Sequence, residues 1–164
     1  MALAGTAPVG QEDFLLKDPK NREEQAIVVR AIAELLAPAT VEATKILALK
    51  NIVHLQSLIH TESDASLVDW ADRLHPTPAM GGNPREAALK LLQKVESHDR
   101  GLYASPLGFI DQKGDGLLLV GIRSALIRRN RLSAYVGCGL IKESDCQTEY
   151  EETQVKLQTI MEAL

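Results

Sequence analysis

Apolar residues recur at helical spacing in four stretches of this 164-residue chain. The longest two cover residues 18–37, where Pro19 lies near the start and Pro38 marks the end, and residues 145–164. Residues 66–73 and 85–95 are shorter amphipathic stretches of the same period. A 3.6-residue period with such boundary residues is typical of helices that bury one face. The pattern therefore predicts four helices.

Other apolar runs are rich in β-branched residues and predict strands. These runs are residues 46–49, 52–59, 107–111, 117–127 and 132–136. Turn residues separate the last three runs, which predicts an antiparallel meander, and residues 3–6 resemble the end of a strand that runs into a loop. Because helices and strands do not alternate regularly, we expect an α+β fold with a mainly antiparallel sheet flanked by helices.

Residues 74–82 contain two prolines and a Gly-Gly pair, which predicts a rigid loop rather than a helix or a strand. Proline disfavours helical geometry in the residue before it, so we expect His75 and Thr77 to be extended. The glycine pair allows a tight turn or a close approach to a ligand. The loop leads into the helix at 85–95, where free N–H groups favour an anion. A plain connecting loop with a packed histidine is the alternative.

Composition excludes several classes of protein. The net charge is −4 and the basic residues form no long block, which argues against a nucleic-acid partner. No apolar run is long enough for a membrane span, and no signal peptide is evident. Cys138 and Cys146 have neither metal-type nor disulfide-framework spacing, which suits a reducing compartment. We expect a single domain in the cytoplasm, without a membrane partner.

Charged residues on the last predicted helix are candidates for binding chemistry. Glu149, Glu152 and Lys156 share one helix face, where the carboxylates could hold a divalent cation and the ammonium a substrate carboxylate. An ordinary surface pair between Glu152 and Lys156 is the alternative. A second acidic pair, Glu23 and Glu24, lies in the first turns of the helix at 18–37.

Arg123 interrupts the apolar run 117–127. A buried arginine requires an anion, and its guanidinium fits a carboxylate in bidentate fashion. The alternative is an arginine on the solvent-facing side of a sheet. Gly137 and Gly139 follow the last predicted strand, where bare backbone amides could reach the same anion or simply form a turn.

Seven motifs resemble, in order and spacing, the C-terminal half of the chorismate-utilising enzymes, in particular the isochorismate synthases. They are Leu3-Ala4-Gly5-Thr6, Lys20-Asn21-Arg22-Glu23-Glu24-Gln25, His75-Pro76-Thr77-Pro78-Ala79, Arg100-Gly101-Leu102-Tyr103, Ile122-Arg123-Ser124-Ala125, Gly137-Cys138-Gly139, and Glu152-Thr153 followed by Lys156. The resemblance covers essentially the whole chain. Ala79 favours the isochorismate branch, because related synthases typically carry threonine there, and residues 81–85 look more like the menaquinone-pathway enzymes.

The resemblance implies a site for Mg²⁺ and chorismate, and isomerisation of chorismate to isochorismate for menaquinone biosynthesis. Glu24 and Glu152 are expected to bind the metal, with Glu149 close to it. The expected substrate contacts come from Gly5, Thr6, Gly137, Arg123 and Lys156, with His75 near the ring and Ala79 in the pocket. No amidotransferase partner is expected.

The two proton-transfer residues of the family, a lysine and a glutamate, lie upstream of the Leu-Ala-Gly-Thr motif. We therefore expect residues 1–164 to be the C-terminal portion of a chorismate-binding domain with no assignable catalytic residue. A fragment of this kind is expected to be inactive without an N-terminal half, which is a candidate partner. The alternatives are a non-catalytic remnant or binding module, and another chorismate enzyme such as a salicylate synthase.

Overall fold

The computed structural model describes residues 1–163, in which six helices and nine strands are found. The helices are α1 (Glu12–Lys17), α2 (Pro19–Leu35), α3 (Leu67–Leu74), α4 (Pro78–Gly81), α5 (Arg85–Val95) and α6 (Cys146–Met161). The strands are β1 (Ala2–Pro8), β2 (Thr40–Val41), β3 (Lys45–Ala48), β4 (Ile52–Ser57), β5 (Ile59–His60), β6 (Pro106–Ile110), β7 (Gly116–Val120), β8 (Ser124–Arg128) and β9 (Arg131–Tyr135).

The four predicted helices are confirmed, and α2, α3 and α6 each begin at a side chain that caps the first turn. Asp18 caps α2 by accepting a hydrogen bond from the Asn21 N–H, and Asp145 caps α6 in the same way. Ser66 begins α3 with a reciprocal capping box, and α5 has the bounds that its apolar period indicates. Residue 164, included in the last predicted helix, lies outside the described residues. None of the described helices has the length and apolar content required to cross a bilayer.

The main sheet has the order β1-β4-β3, and all of its pairings are antiparallel. The prediction that residues 3–6 end a strand was wrong, because β1 continues to Pro8 and pairs with β4 along its length. The register shifts between Ala4 and Thr6, so Gly5 forms a bulge, and its φ of 67° lies in the left-handed region. This bulge turns the backbone of Gly5 out of the regular sheet.

The two core clusters lie on the same face of this sheet, since Ala4 of the first cluster is paired directly with Leu55 of the second. One cluster joins β1 to α2 through Ala2, Ala4, Val28, Ile32 and Leu36. The other contains Ala7, Leu15, Val53 and Leu55, which bury α1 against β1 and β4. Strand β4 is buried on both faces, because Ile52 and His54 alternate with Val53 and Leu55 and all four are buried.

The predicted meander was wrong. The run 117–127 is two strands, since β7 ends at Val120 and β8 begins at Ser124, and β6-β7 and β8-β9 form two separate two-stranded sheets. Backbone hydrogen bonds from the Ala104 N–H to Gly121 and from the Gly121 N–H to Ser105 pull the chain out of the strand. Arg123 follows in this break with a φ of 50°, and not inside a central strand as predicted.

Residues 74–82 are also more ordered than the predicted loop. Residues 78–81 form the single helical turn α4, because the Thr77 carbonyl accepts hydrogen bonds from the Met80 and Gly81 N–H groups. The extended geometry expected for His75 and Thr77 is confirmed by ψ angles of 138° and 165°.

Candidate functional site

Helices α2 and α6 bring the candidate metal ligands into one charged cluster. Glu24 and Lys20 lie on α2, and Glu149, Glu152 and Lys156 lie on α6. The Lys20 Nζ is 2.6 Å from the Glu149 Oε1 and 3.9 Å from the Glu24 Oε2. The Lys156 Nζ is 2.5 Å from the Glu152 Oε1 and donates a hydrogen bond of 3.0 Å to the Gly137 carbonyl. The shared helix face predicted for α6 is therefore directed toward α2.

The electrostatics of this cluster favour a cation. Burial raises the pKa of Glu24, and repulsion by Glu152 raises it further. Burial alone would lower the pKa of Lys20, but Glu149, Glu24 and Glu152 together raise it above its ordinary value. All three carboxylates therefore act on one ammonium group, which marks a place where positive charge is stabilised.

Glu149 has spare capacity to bind a cation. Its side chain is buried, and among residues 1–163 neither carboxylate oxygen has an aligned hydrogen-bond donor, since Lys20 approaches Oε1 off the hydrogen-bond direction. Lys20 compensates this buried charge, and a metal ion could take the same place, because a buried carboxylate is costly without a nearby cation. In the described part of the chain no three acidic, histidine or cysteine side chains converge as a ready-made metal cluster. The donor chemistry fits Mg²⁺, which prefers carboxylate oxygens, but the ligands are held apart by lysines.

A second cluster surrounds Arg123 and contains a residue that the sequence analysis missed. His54 on β4 is buried, and its Nδ1 lies 2.9 Å from the Gly5 carbonyl oxygen and 3.2 Å from the Thr6 Oγ1. Its Nε2 contacts the Nη2 of Arg123. Burial lowers the pKa of His54 to about 4, and the positive charges of Arg123 and Lys156 act in the same direction. His54 is therefore neutral near pH 7.

Arg123 is held near the acidic cluster without a carboxylate directly on it. Burial lowers the pKa of Arg123, and the charge of Glu152 partly offsets this. Its Nε is buried and has no hydrogen-bond partner within residues 1–163. A guanidinium in this state can accept an anion without first losing a strong protein partner. This matches the buried-arginine interpretation rather than the solvent-facing one.

The Gly5–Thr6 bulge joins the two clusters. The Gly5 N–H acts on Glu24 and offsets part of the rise in its pKa that burial and Glu152 cause, while the Gly5 carbonyl faces His54. The Thr6 N–H donates a hydrogen bond of 3.1 Å to the Asn21 Oδ1. The predicted site residues Gly5 and Thr6 therefore lie between the carboxylates and the arginine.

The backbone of residues 137–139 comes close to Glu24 and to Tyr103. A Cβ added at Gly139 would lie 2.5 Å from the Glu24 Oε1, and one added at Gly137 would lie 3.0 Å from the Tyr103 Oη. The segment is neither helix, strand nor hydrogen-bonded turn. Its backbone is therefore packed directly against the acidic cluster.

His75 and Ala79 occupy different surroundings from the charged residues. Ala79 packs against the core cluster of β1 and α2, and the His75 carbonyl accepts a hydrogen bond from Arg85. Partial burial lowers the pKa of His75, and the charge of Arg85 lowers it further. Arg100 links this segment to the rest of the chain by donating a hydrogen bond of 2.8 Å to the Met80 carbonyl.

A cavity of about 190 Å³ lies beside the same segment, toward the end of α2. Its lining includes Leu35, Leu74, Pro76, Pro78 and Asn83. None of the predicted site residues lines it. The cavity is therefore separate from the charged clusters.

Comparisons with known proteins identify a family for this chain. Residues 1–164 match the family described as chorismate binding enzyme. The chain is 38% identical over 157 residues to the isochorismate synthase MenF of Bacillus subtilis, covering 92% of this chain and 33% of the relative. It is 42% identical over 179 residues to the salicylate biosynthesis isochorismate synthase of Pseudomonas aeruginosa, covering 99% and 37%.

Solved structures give the same result. The menaquinone-specific isochorismate synthase MenF of Escherichia coli superimposes with a TM-score of 0.86 at 29% identity, over 98% of this chain and 40% of that one. A structure described as a putative 2,3-dihydroxybenzoate-specific isochorismate synthase of Bacillus anthracis gives 0.87 at 33% identity, over 98% and 47%. These matches confirm the α+β class. The chain spans about a third to a half of the length of these relatives.

Proposed function

We propose, from the fact that this chain belongs to the chorismate-binding enzyme family, that it forms the metal- and carboxylate-binding part of an isochorismate synthase. One observation carries the proposal. A buried carboxylate cluster on α2 and α6 lies next to a buried arginine, and the Gly5–Thr6 bulge connects them. A dianionic substrate bound partly through a metal ion requires this combination of charges.

Arg123 and Lys156 bind the carboxylates of chorismate in this proposal. Arg123 offers a buried Nε without a protein partner, and Lys156 lies between Glu152 and the Gly137 carbonyl. Because both cations are partly buried, their interaction with a carboxylate is stronger than that of exposed pairs.

Glu24 and Glu152 would hold Mg²⁺, with Glu149 beside them. The ion supplies positive charge for one substrate carboxylate when bound. The protein contributes the carboxylates; burial raises the pKa of Glu24 and repulsion by Glu152 raises it further, and a bound cation would oppose both effects. Lys20 is the cation that now lies closest to Glu149.

The complete reaction requires groups outside the matched region, because the family's water-activating lysine and its acid glutamate are expected upstream of residues 3–6. We propose that an N-terminal half supplies them. The relatives' greater length supports this, and so does the exposed apolar face of the β6-β7 hairpin. On that face Leu107 pairs with Leu119 and Phe109 with Leu117, and all four are exposed. Such a contiguous patch marks a surface that binds another polypeptide.

The pathway and compartment follow as finer parts of the proposal. The sequence at 81–85 and the MenF relatives support menaquinone biosynthesis. Within the described residues both cysteines are free, which supports a cytoplasmic enzyme.

Calorimetry of Mg²⁺ and chorismate binding tests the metal and substrate site. Glu152→Gln should weaken Mg²⁺ binding by at least about tenfold, since it removes a charged ligand. Glu151→Gln is the matched control, because this neighbouring side chain is exposed and bonds only Gln147 among the described residues. Absence of Mg²⁺-dependent chorismate binding, with or without an N-terminal half, would instead indicate a non-catalytic remnant.

An activity assay tests the two-part enzyme. The chain alone should show negligible turnover, and adding the N-terminal portion of the Bacillus subtilis relative should restore formation of isochorismate. Phe109→Asp should prevent this restoration without affecting Mg²⁺ binding, since it places a charge on the exposed hairpin face. Formation of salicylate would favour a salicylate synthase, and turnover by the chain alone would contradict the requirement for a second half.

A further inference from the structure

His54 is a buried histidine between Val53 and Leu55 of β4, and none of the motifs that resemble the family includes it. It is 3% exposed, and it touches two candidate substrate-binding elements at once. Nδ1 faces the Gly5 carbonyl at 2.9 Å, and Nε2 faces the Arg123 guanidinium. A polar side chain at such a place requires a specific hydrogen-bonding role, because burial without one is costly.

The partners of His54 determine its tautomer. A carbonyl oxygen can only accept a hydrogen bond, so Nδ1 must carry the proton that Gly5 accepts. A guanidinium can only donate, so Nε2 must present its lone pair to Arg123. The two requirements agree on a neutral ring with the proton on Nδ1.

We propose that His54 is a positioning residue that orients the Arg123 guanidinium toward the substrate by linking it to the Gly5 carbonyl. The bond to Nε2 fixes Nη2 and leaves the unpartnered Nε for an anion. The identity of that anion as a chorismate carboxylate rests on the proposed function, but the orientation of Arg123 does not.

The surroundings of Arg123 explain why it requires an external support. It follows the break between β7 and β8 with a φ of 50°, so no strand pairing fixes its backbone. Gly5 is a firmer anchor, since the next residue, Thr6, is held by both Asn21 and β4. His54 therefore links the Arg123 side chain to the ordered backbone of the sheet.

Two substitutions separate the two bonds of the ring. The amide nitrogen of asparagine matches Nδ1, so His54→Asn keeps the Gly5 bond and loses the acceptor for Arg123. The amide oxygen of glutamine reaches the position of Nε2, so His54→Gln keeps that acceptor. We expect His54→Asn to weaken chorismate binding by about ten- to a hundredfold, the effect of one charge-assisted hydrogen bond, and His54→Gln to weaken it much less.

Nitrogen-15 NMR of the wild-type chain tests the tautomer without any ligand. The chain has four histidines, and the His54→Gln spectrum identifies the signal of His54. The proposal requires the Nδ1–H tautomer at pH 7, and it requires the Arg123 side-chain protons to exchange slowly in wild type and His54→Gln but rapidly in His54→Asn.

The Nε2–H tautomer, a charged ring, or equal exchange in all three proteins would overturn the proposal. If His54→Asn does not fold, the wild-type tautomer still decides. The expected NMR result in a chain that fails to bind chorismate would count against the proposed function and leave the positioning role standing. Chorismate binding that is as tight in His54→Asn as in wild type would overturn the positioning role alone.

Discussion

Acid should destabilise this chain through His54, because this histidine is buried in its neutral form. In the folded protein burial lowers the pKa of His54 to about 4, with Arg123 and Lys156 contributing, whereas an unfolded histidine titrates near 6.5. At pH values between these two pKa values, His54 is mostly protonated in the unfolded chain and mostly neutral in the folded protein. The free energy of unfolding must therefore fall as the pH falls from above 6.5 toward 4.

The size of the effect follows from the two pKa values. They differ by about 2.5, which corresponds to about 3.4 kcal/mol once the pH is below both. At pH 4 the folded histidine is half protonated, so the loss relative to pH 7 is about 3 kcal/mol. This is a large share of the stability of an ordinary small domain. Glu24 acts in the opposite sense, because its pKa is raised on folding, and a difference between variants removes its contribution.

Urea unfolding followed by the fluorescence of Trp70, the single tryptophan, measures the effect at several pH values between 7 and 4. The profile of His54→Gln should be flatter than that of wild type by about 3 kcal/mol over this range. His98→Gln is the control, because its ring is exposed, and it should follow wild type. Parallel wild-type and His54→Gln profiles would refute the argument that His54 is buried in its neutral form.

Two further substitutions test the local structure by the same unfolding assay. Gly5→Ala should lower the free energy of unfolding by about 1–2 kcal/mol, because φ is 67° and the new Cβ would lie 3.2 Å from Asn21. Gly10→Ala is the control, since φ is 92° there but the space around the new Cβ is open, and it should cost less. Equal losses in the two variants would exclude a contribution from the contact with Asn21. Ser66→Ala should cost about 1 kcal/mol by removing the capping box that Ser66 forms with Asp69, and an unchanged midpoint would show that this cap does not stabilise α3.

The helices could be predicted from sequence because their determinants are local. Apolar spacing with a capping side chain is enough to locate α2, α3 and α6, and apolar spacing after Pro84 is enough to locate α5. The strand break at 121–123 could not be predicted in this way. Its cause is a pair of hydrogen bonds between Gly121 and residues 104–105, and these depend on tertiary structure.

The candidate site was predictable only in part, for the same reason. The shared face of Glu149, Glu152 and Lys156 follows from helical geometry, but the ion pair of Lys20 with Glu149 joins two helices far apart in sequence. His54 carried a usable signal. A titratable residue inside an apolar run predicts a buried, neutral and hydrogen-bonded side chain, although nothing local indicates that its partners are Gly5 and Arg123.

The requirement for glycine at position 5 follows from the direction of its backbone groups. In a regular antiparallel strand the N–H and the carbonyl of one residue point to the same side of the strand. The left-handed φ of Gly5 separates them, so that the N–H acts on Glu24 while the carbonyl meets His54. One residue thereby fixes a carboxylate of the acidic cluster and, through His54, the guanidinium of Arg123. A side chain at this position would have to be accommodated against Asn21, and the backbone groups of Gly5 would then shift relative to Glu24 and His54.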